Sequence, residues 1–126
     1  MILIIIKFND NIEHTFNSFE EIVKLENYNK IIYINCWSNN LFNIPELPNS
    51  LKILKCYNNN LSSIPRLPNS LSYLFCSLNN ISRLPKLPNS LIYLSCGYNN
   101  LSSLPELPNS LTELRCYNNN LSNLPE

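Results

Sequence analysis

Cysteine is the side chain here best equipped for chemistry, and it recurs at every twentieth position as Cys36, Cys56, Cys76, Cys96 and Cys116. A thiol can attack a substrate, close a disulfide or hold a metal, and each use makes a demand on its neighbours. A nucleophile wants a base beside it, and His14 is the single histidine of the chain. Zinc wants close ligand pairs such as C-x₂-C, and none is present. An odd number of thiols cannot pair completely as disulfides. With Gly97 as the one glycine, a glycine-rich phosphate loop is excluded as well. These observations predict no catalytic residues, no metal and no cofactor, and thiols that serve the structure.

The elements that position the cysteines follow from the phrase around them. In its clearest copy Leu51, Leu54, Cys56, Asn59 and Leu61 are followed by Ile64-Pro65 and Leu67-Pro68. Copies begin at Ile31, Leu51, Leu71, Leu91 and Leu111. A period this short implies stacked coils rather than one central core. Leu54 and Cys56 alternate with Lys55, which predicts a short strand with two side chains inward and one outward. Successive coils then add parallel strands about 4.8 Å apart. Asn39, Asn59, Asn79, Asn99 and Asn119 fall where the chain leaves the strand, and are expected to bond backbone groups inside the bend. Paired prolines exclude a helix on the return leg and favour extended backbone.

At the third apolar slot each thiol faces the core, where free cysteine behaves as a small hydrophobe. Neighbouring strands lie within bridging range, but the side chains run parallel inward rather than toward one another. Reduced thiols are therefore expected, in a reducing, cytoplasmic compartment.

The phrase reads L-x-x-L-x-L-x-x-N-x-L, the leucine-rich-repeat signature, with cysteine in its third apolar slot. Over residues 31–126 the tandem L-P-x-L-P-x-S-L-x-x-L-x-C-x-x-N-x-L phrasing resembles the twenty-residue repeats of secreted bacterial effectors. It is still more similar to the cysteine- and asparagine-bearing repeat proteins of giant DNA viruses. The resemblance implies a mostly β, α/β-type solenoid of five short coils with a parallel concave sheet, and an activity limited to binding other proteins. Several effector relatives append a ubiquitin-ligase domain with its nucleophile in a C-x-D motif, and none of the cysteines here has an aspartate two residues on.

Residues 1–30 break the period. Met1 to Phe8 predicts a strand, Asn9 to Asn11 a turn, and Ile12 to Phe16 a second, alternating strand. Ser18-Phe19-Glu20-Glu21 is a capping-box pattern, opening a helix expected to run to about Tyr28. The resulting ββα unit is read as a cap over the first coil, which would otherwise expose Ile31, Ile34, Leu41 and Ile44. The apolar opening lacks the basic start and small-residue cleavage site of a targeting signal, and no run reaches membrane-spanning length.

Charged residues make up 14% of the chain and balance to zero, so no basic footprint for nucleic acid is present. The outward slots of the concave sheet are rich in aromatics instead. Tyr33, Trp37, Lys55, Tyr57, Tyr73, Phe75, Tyr93, Tyr98, Arg115 and Tyr117 form the candidate binding face for a protein partner. Aromatic residues also favour strands and stack across them without any partner. The column Glu46, Arg66, Lys86, Glu106 and Glu126 offers alternating charge pairs along a solvated edge. The N-x-S sequons at Asn60, Asn80, Asn100 and Asn120 arise from copying one phrase, and carry no glycan in a cytoplasmic chain. The alternative to a binding module is a self-assembling repeat protein, a homodimer closed through the C-terminal end around Leu111, Leu114, Leu121 and Leu124.

Overall fold

Alternation across each Leu-x-Cys triplet decides the architecture. In the computed structural model, which describes residues 2–125, every repeat contributes one three-residue strand with its central leucine or isoleucine turned inward. In chain order the strands are β1 (Ile4–Lys7), β2 (Glu13–Phe16), β3 (Tyr33–Asn35), β4 (Ile53–Lys55), β5 (Tyr73–Phe75), β6 (Tyr93–Ser95) and β7 (Glu113–Arg115). They form one sheet in the order β2-β1-β3-β4-β5-β6-β7. From β3 to β7 all pairings are parallel and in register, so residues twenty apart stand side by side. The protein is a mostly β solenoid of the leucine-rich-repeat type.

The core is a set of columns running the length of the stack. Ile34, Leu54, Leu74 and Leu94 are fully buried, as are Cys36, Cys56, Cys76 and Cys96 on the same side of the strands. Leu61, Ile81 and Leu101, then Ile64, Leu84 and Leu104, close the core from the return leg. The prolines between them keep that leg extended, so a coil is complete in twenty residues.

The N-terminal segment joins the sheet by inserting β1 between β2 and β3, antiparallel to both. Ile4, Ile6 and Ile22 are fully buried in the same core as the repeats. Both strands are shorter than expected, and Met1 lies outside the described residues. The helix α1 (Phe19–Val23) is much shorter than the sequence suggested, although Ser18 caps it through Glu21 N as foreseen. Beyond Ile22 the chain advances by i→i+3 turns, with Leu25 N–H bonded to Ile22 O, Tyr28 N–H to Leu25 O and Ile31 N–H to Tyr28 O. Ile22, Leu25 and Tyr28 fall three residues apart, a spacing that an α-helix would also place near one face. These tighter turns serve the same spacing and bring the Tyr28 hydroxyl onto the Glu46 carbonyl of the first coil. Among the described residues no helix is long and apolar enough to cross a membrane.

Candidate functional site

The sheet's open face, the concave side of such a solenoid, is built by register. One row runs Lys7, Tyr33, Ile53, Tyr73, Tyr93, Glu113, and a second runs Ile5, Asn35, Lys55, Phe75, Ser95, Arg115. Parallel pairing brings the candidate rings together. Phe75 and Tyr93 lie with centroids 4.8 Å apart, and Tyr73 and Tyr93 at 6.5 Å. Lys55 Nζ sits 5.5 Å from both the Tyr33 and Phe75 rings, and Lys7 Nζ sits 4.5 Å from Tyr33. Such contacts hold an ammonium over a ring face while leaving its other donors in water. Arg115 is placed differently. Its guanidinium is closed onto Glu113 at 2.9 Å, and that hydrogen bond raises its pKa.

A second group of rings stands where the chain turns out of the strands. Trp37 stacks on Tyr57 at 5.3 Å with 20° between the planes, and Tyr98 meets Tyr117 edge-on at 5.5 Å. Trp37 is 48% exposed, Tyr98 50% and Tyr117 54%, with Leu78 between the two pairs at 47%. The residue two after each cysteine adopts left-handed backbone, with φ of 57° at Ser38, Asn58 and Leu78, 54° at Tyr98 and 58° at Asn118. Asparagine and serine tolerate that region, whereas leucine and tyrosine are strained in it. The sequence thus keeps two apolar, exposed side chains at positions its own repeat fills with polar residues. Gly97 has a local reason: a Cβ there would meet Tyr117 O at 3.1 Å and the Tyr117 ring at 3.2 Å.

Beneath this face the asparagine ladder holds the bends. The side chain of Asn79 accepts from Leu61 N–H at 2.9 Å and donates to the Cys56 and Cys76 carbonyls at 3.1 Å. Asn59, Asn99 and Asn119 repeat the pattern on their own coil and the one before. Asn39 has no repeat before it, and its side chain grips Leu3 instead, accepting from Leu3 N–H at 3.1 Å and donating to Leu3 O at 2.9 Å. One residue of the N-terminal segment thereby imitates the backbone edge of a preceding coil.

A parallel ladder of serines was missed by sequence reasoning. Ser50, Ser70, Ser90 and Ser110 donate to the carbonyls of Ile31, Leu51, Leu71 and Leu91 at 2.5–2.7 Å. Its signal was the unvarying Pro-Asn-Ser before the repeat starts at Leu51, Leu71, Leu91 and Leu111. Lys7 was also missed, because its place on the face depends on the long-range insertion of β1.

Burial suppresses the reactivity of the thiols. It pushes Cys36 and Cys96 up to about 12, and Cys56 and Cys76 well above their ordinary value, with neighbouring cysteines adding to the shift except at Cys36. Cys116 is only half-buried. Among the described residues no group of three metal-ligating side chains converges. The expected charge pairs of the convex column are not made: Glu46, Arg66, Lys86 and Glu106 are exposed and form no ion pair among the described residues. Their positions, one coil apart on an extended leg, leave the side chains free in water. Glu126 lies outside the described residues.

Several solved structures resemble this chain. A Shigella effector leucine-rich-repeat domain is 43% identical with a TM-score of 0.75, over 76% of this chain and 44% of its own length. YopM from Yersinia enterocolitica is 33% identical with a TM-score of 0.60, over 75% of this chain and 26% of its own. YopM from Yersinia pestis, a leucine-rich effector protein, is 33% identical with a TM-score of 0.65, over 75% of this chain and 33% of its own. The chain spans less than half the length of each. No protein-family model and no curated protein matches it. The repeats are therefore those of a leucine-rich-repeat solenoid, similar to bacterial effector repeats, and a protein-interaction module is the class of function this similarity supports.

Proposed function

We propose that the open face of the sheet is a non-enzymatic docking surface for a protein partner, of the kind an effector or a virus presents to host proteins in a reducing, cytoplasmic compartment. The observation that carries it is the series of rings along the strands and the turns that follow them, exposed at Trp37, Tyr73, Tyr98 and Tyr117 and part-buried at Tyr33, Tyr57, Phe75 and Tyr93. Exposed apolar surface of this extent marks interaction sites, and tyrosine and tryptophan dominate the energetic centres of interfaces. The strained Leu78 and Tyr98 support the same reading, since strain persists where a side chain has a use. Core-facing, unpaired thiols suit the compartment.

The test is capture of partners from host-cell extract by the wild-type protein and by Tyr73→Ala/Phe75→Ala. Loss of the wild-type partners from the double variant, with its melting temperature unchanged, is the expected result. Identical capture by both would move the partner site off this face. A second reading has its own observation: Leu111, Leu114, Cys116 and Leu121 on the fifth coil are only part-buried. Self-association there predicts light scattering that rises with concentration and falls back with Leu114→Lys.

A further inference from the structure

The charges on the open face are unevenly distributed. Arg115 is neutralised by Glu113. At the other end two ammonium groups converge on one ring, Lys7 at 4.5 Å and Lys55 at 5.5 Å from the Tyr33 centroid. Like charges that close repel within a Debye length of about 10 Å at ordinary salt. Lys7 reaches one carboxylate, Glu13, at 4.0 Å, and Glu13 is itself exposed. Lys55 has no ion pair among the described residues. Asn35 stands beside Lys55 in the same row. Its Oδ1 accepts from Trp37 N–H, while its Nδ2 donates to nothing among the described residues. Two ammonium groups thus flank the Tyr33 ring with one exposed carboxylate near them, Asn35 adds an unused amide donor beside Lys55, and the apolar surface of Tyr73, Phe75 and Tyr93 begins one coil further on.

We propose that this end of the face seats a carboxylate of an acidic peptide segment over Tyr33, reached by Lys7 from one side and Lys55 from the other, with apolar residues of the same segment lying on Phe75, Tyr73 and Tyr93. The proposal rests on the docking reading above and adds the chemistry of the partner. It also makes the N-terminal segment part of the binding surface, since Lys7 belongs to β1. A polyanion is a poor fit: Lys7, Lys55 and Arg115 are offset by Glu13 and Glu113, which leaves too little positive charge to follow a phosphate backbone.

The experiment uses the full chain and fluorescence anisotropy with two labelled short peptides. Both alternate leucine and tyrosine with a polar residue, glutamate in one and glutamine in the other. The glutamate peptide is expected to bind about tenfold more tightly, with the difference shrinking as salt rises. Lys7→Gln and Lys55→Gln each remove most of that difference. Lys52→Gln, at an exposed lysine of the same coil as Lys55, leaves it intact. Equal binding of the two peptides, equal effects at Lys52 and Lys55, no binding of either peptide, or tighter binding of a single-stranded oligonucleotide would each overturn the acidic-segment proposal. Tyr73→Ala/Phe75→Ala separates the two layers. If it abolishes binding of both peptides while glutamate and glutamine behave alike, the docking face stands and the carboxylate seat falls. If peptide binding ignores it, the docking reading itself is wrong.

Discussion

Replacing Asn79 by alanine should expose how the stack is held. The wild-type amide makes one bond as acceptor, from Leu61 N–H, and donates to the carbonyls of Cys56, Cys76 and Ser77. The carbonyls are doubly served. After the substitution Cys56 O keeps Asn59 Nδ2 at 3.0 Å, Cys76 O keeps Asn99 Nδ2 at 3.1 Å, and Ser77 O keeps the Asn58 N–H at 2.9 Å. The buried Leu61 N–H alone loses its partner. One orphaned buried donor costs about 1–3 kcal/mol, and a loss of about 2 kcal/mol would lower Tm by roughly 6–12 °C for a chain of this size. Asn79→Asp should be worse than alanine at neutral pH, although it is closer in shape. It keeps the acceptor for Leu61 but turns a second oxygen toward carbonyl oxygens. Burial there raises the new carboxyl above its unfolded value of about 3.9. Its penalty is therefore small below that pH and grows as pH rises through the folded value. Asn80→Ala, on an exposed neighbour whose backbone N–H bonds Leu61 O regardless of side chain, should change stability by less than about 0.5 kcal/mol. Thermal and urea unfolding across a pH series read all three. Equal losses at positions 79 and 80, or an aspartate milder than alanine at pH 7, would refute the hydrogen-bond accounting.

The buried thiols should resist a thiol reagent in the native state, with half-buried Cys116 reacting first and five groups titrating after denaturation without reductant. Because folding raises Cys36 and Cys96 from 9.0 to about 12, their contribution is complete below pH 9 and is lost as pH climbs toward 12, which alkaline unfolding measures. Deleting residues 1–30 uncovers the fully buried Ile31, Ile34 and Cys36 and leaves Asn39 without Leu3, so the remainder should aggregate or unfold without cooperativity; a monomer with an unchanged midpoint would contradict this. Leu78→Asn relieves left-handed strain at φ 57° and should stabilise the fold by about 1 kcal/mol while weakening partner capture, and a destabilised variant would show that Leu78 is held by packing instead.

The parts legible in the sequence were those decided locally and then repeated. An inward leucine and cysteine around Lys55, an asparagine three residues after each cysteine and paired prolines recur often enough that chance is excluded. The parts that were not legible depend on distant partners. Nothing near Lys7 says that its strand will lie against Tyr33, since that pairing links the cap to the first coil across 26 residues of chain. The end of α1 was misjudged because Leu25 and Tyr28 are spaced for a helix and also for a series of tight turns, and only the contact of Tyr28 with the first coil decides between them. The left-handed position was masked for a different reason. Leu78 and Tyr98 are residues that no one would choose for it, while Asn58 and Asn118 mark the same slot plainly.

The way each asparagine serves its own coil and the coil before it bears on how such a chain changes over generations. An inserted copy of residues 51–70 would bring one amide and present one backbone edge, so every polar group in the lengthened stack would again find its partner. Unequal recombination can therefore add or remove interior units without leaving a scar at the junction. Each addition lengthens the aromatic face by one row and presents natural selection with fresh side chains on a frame already complete.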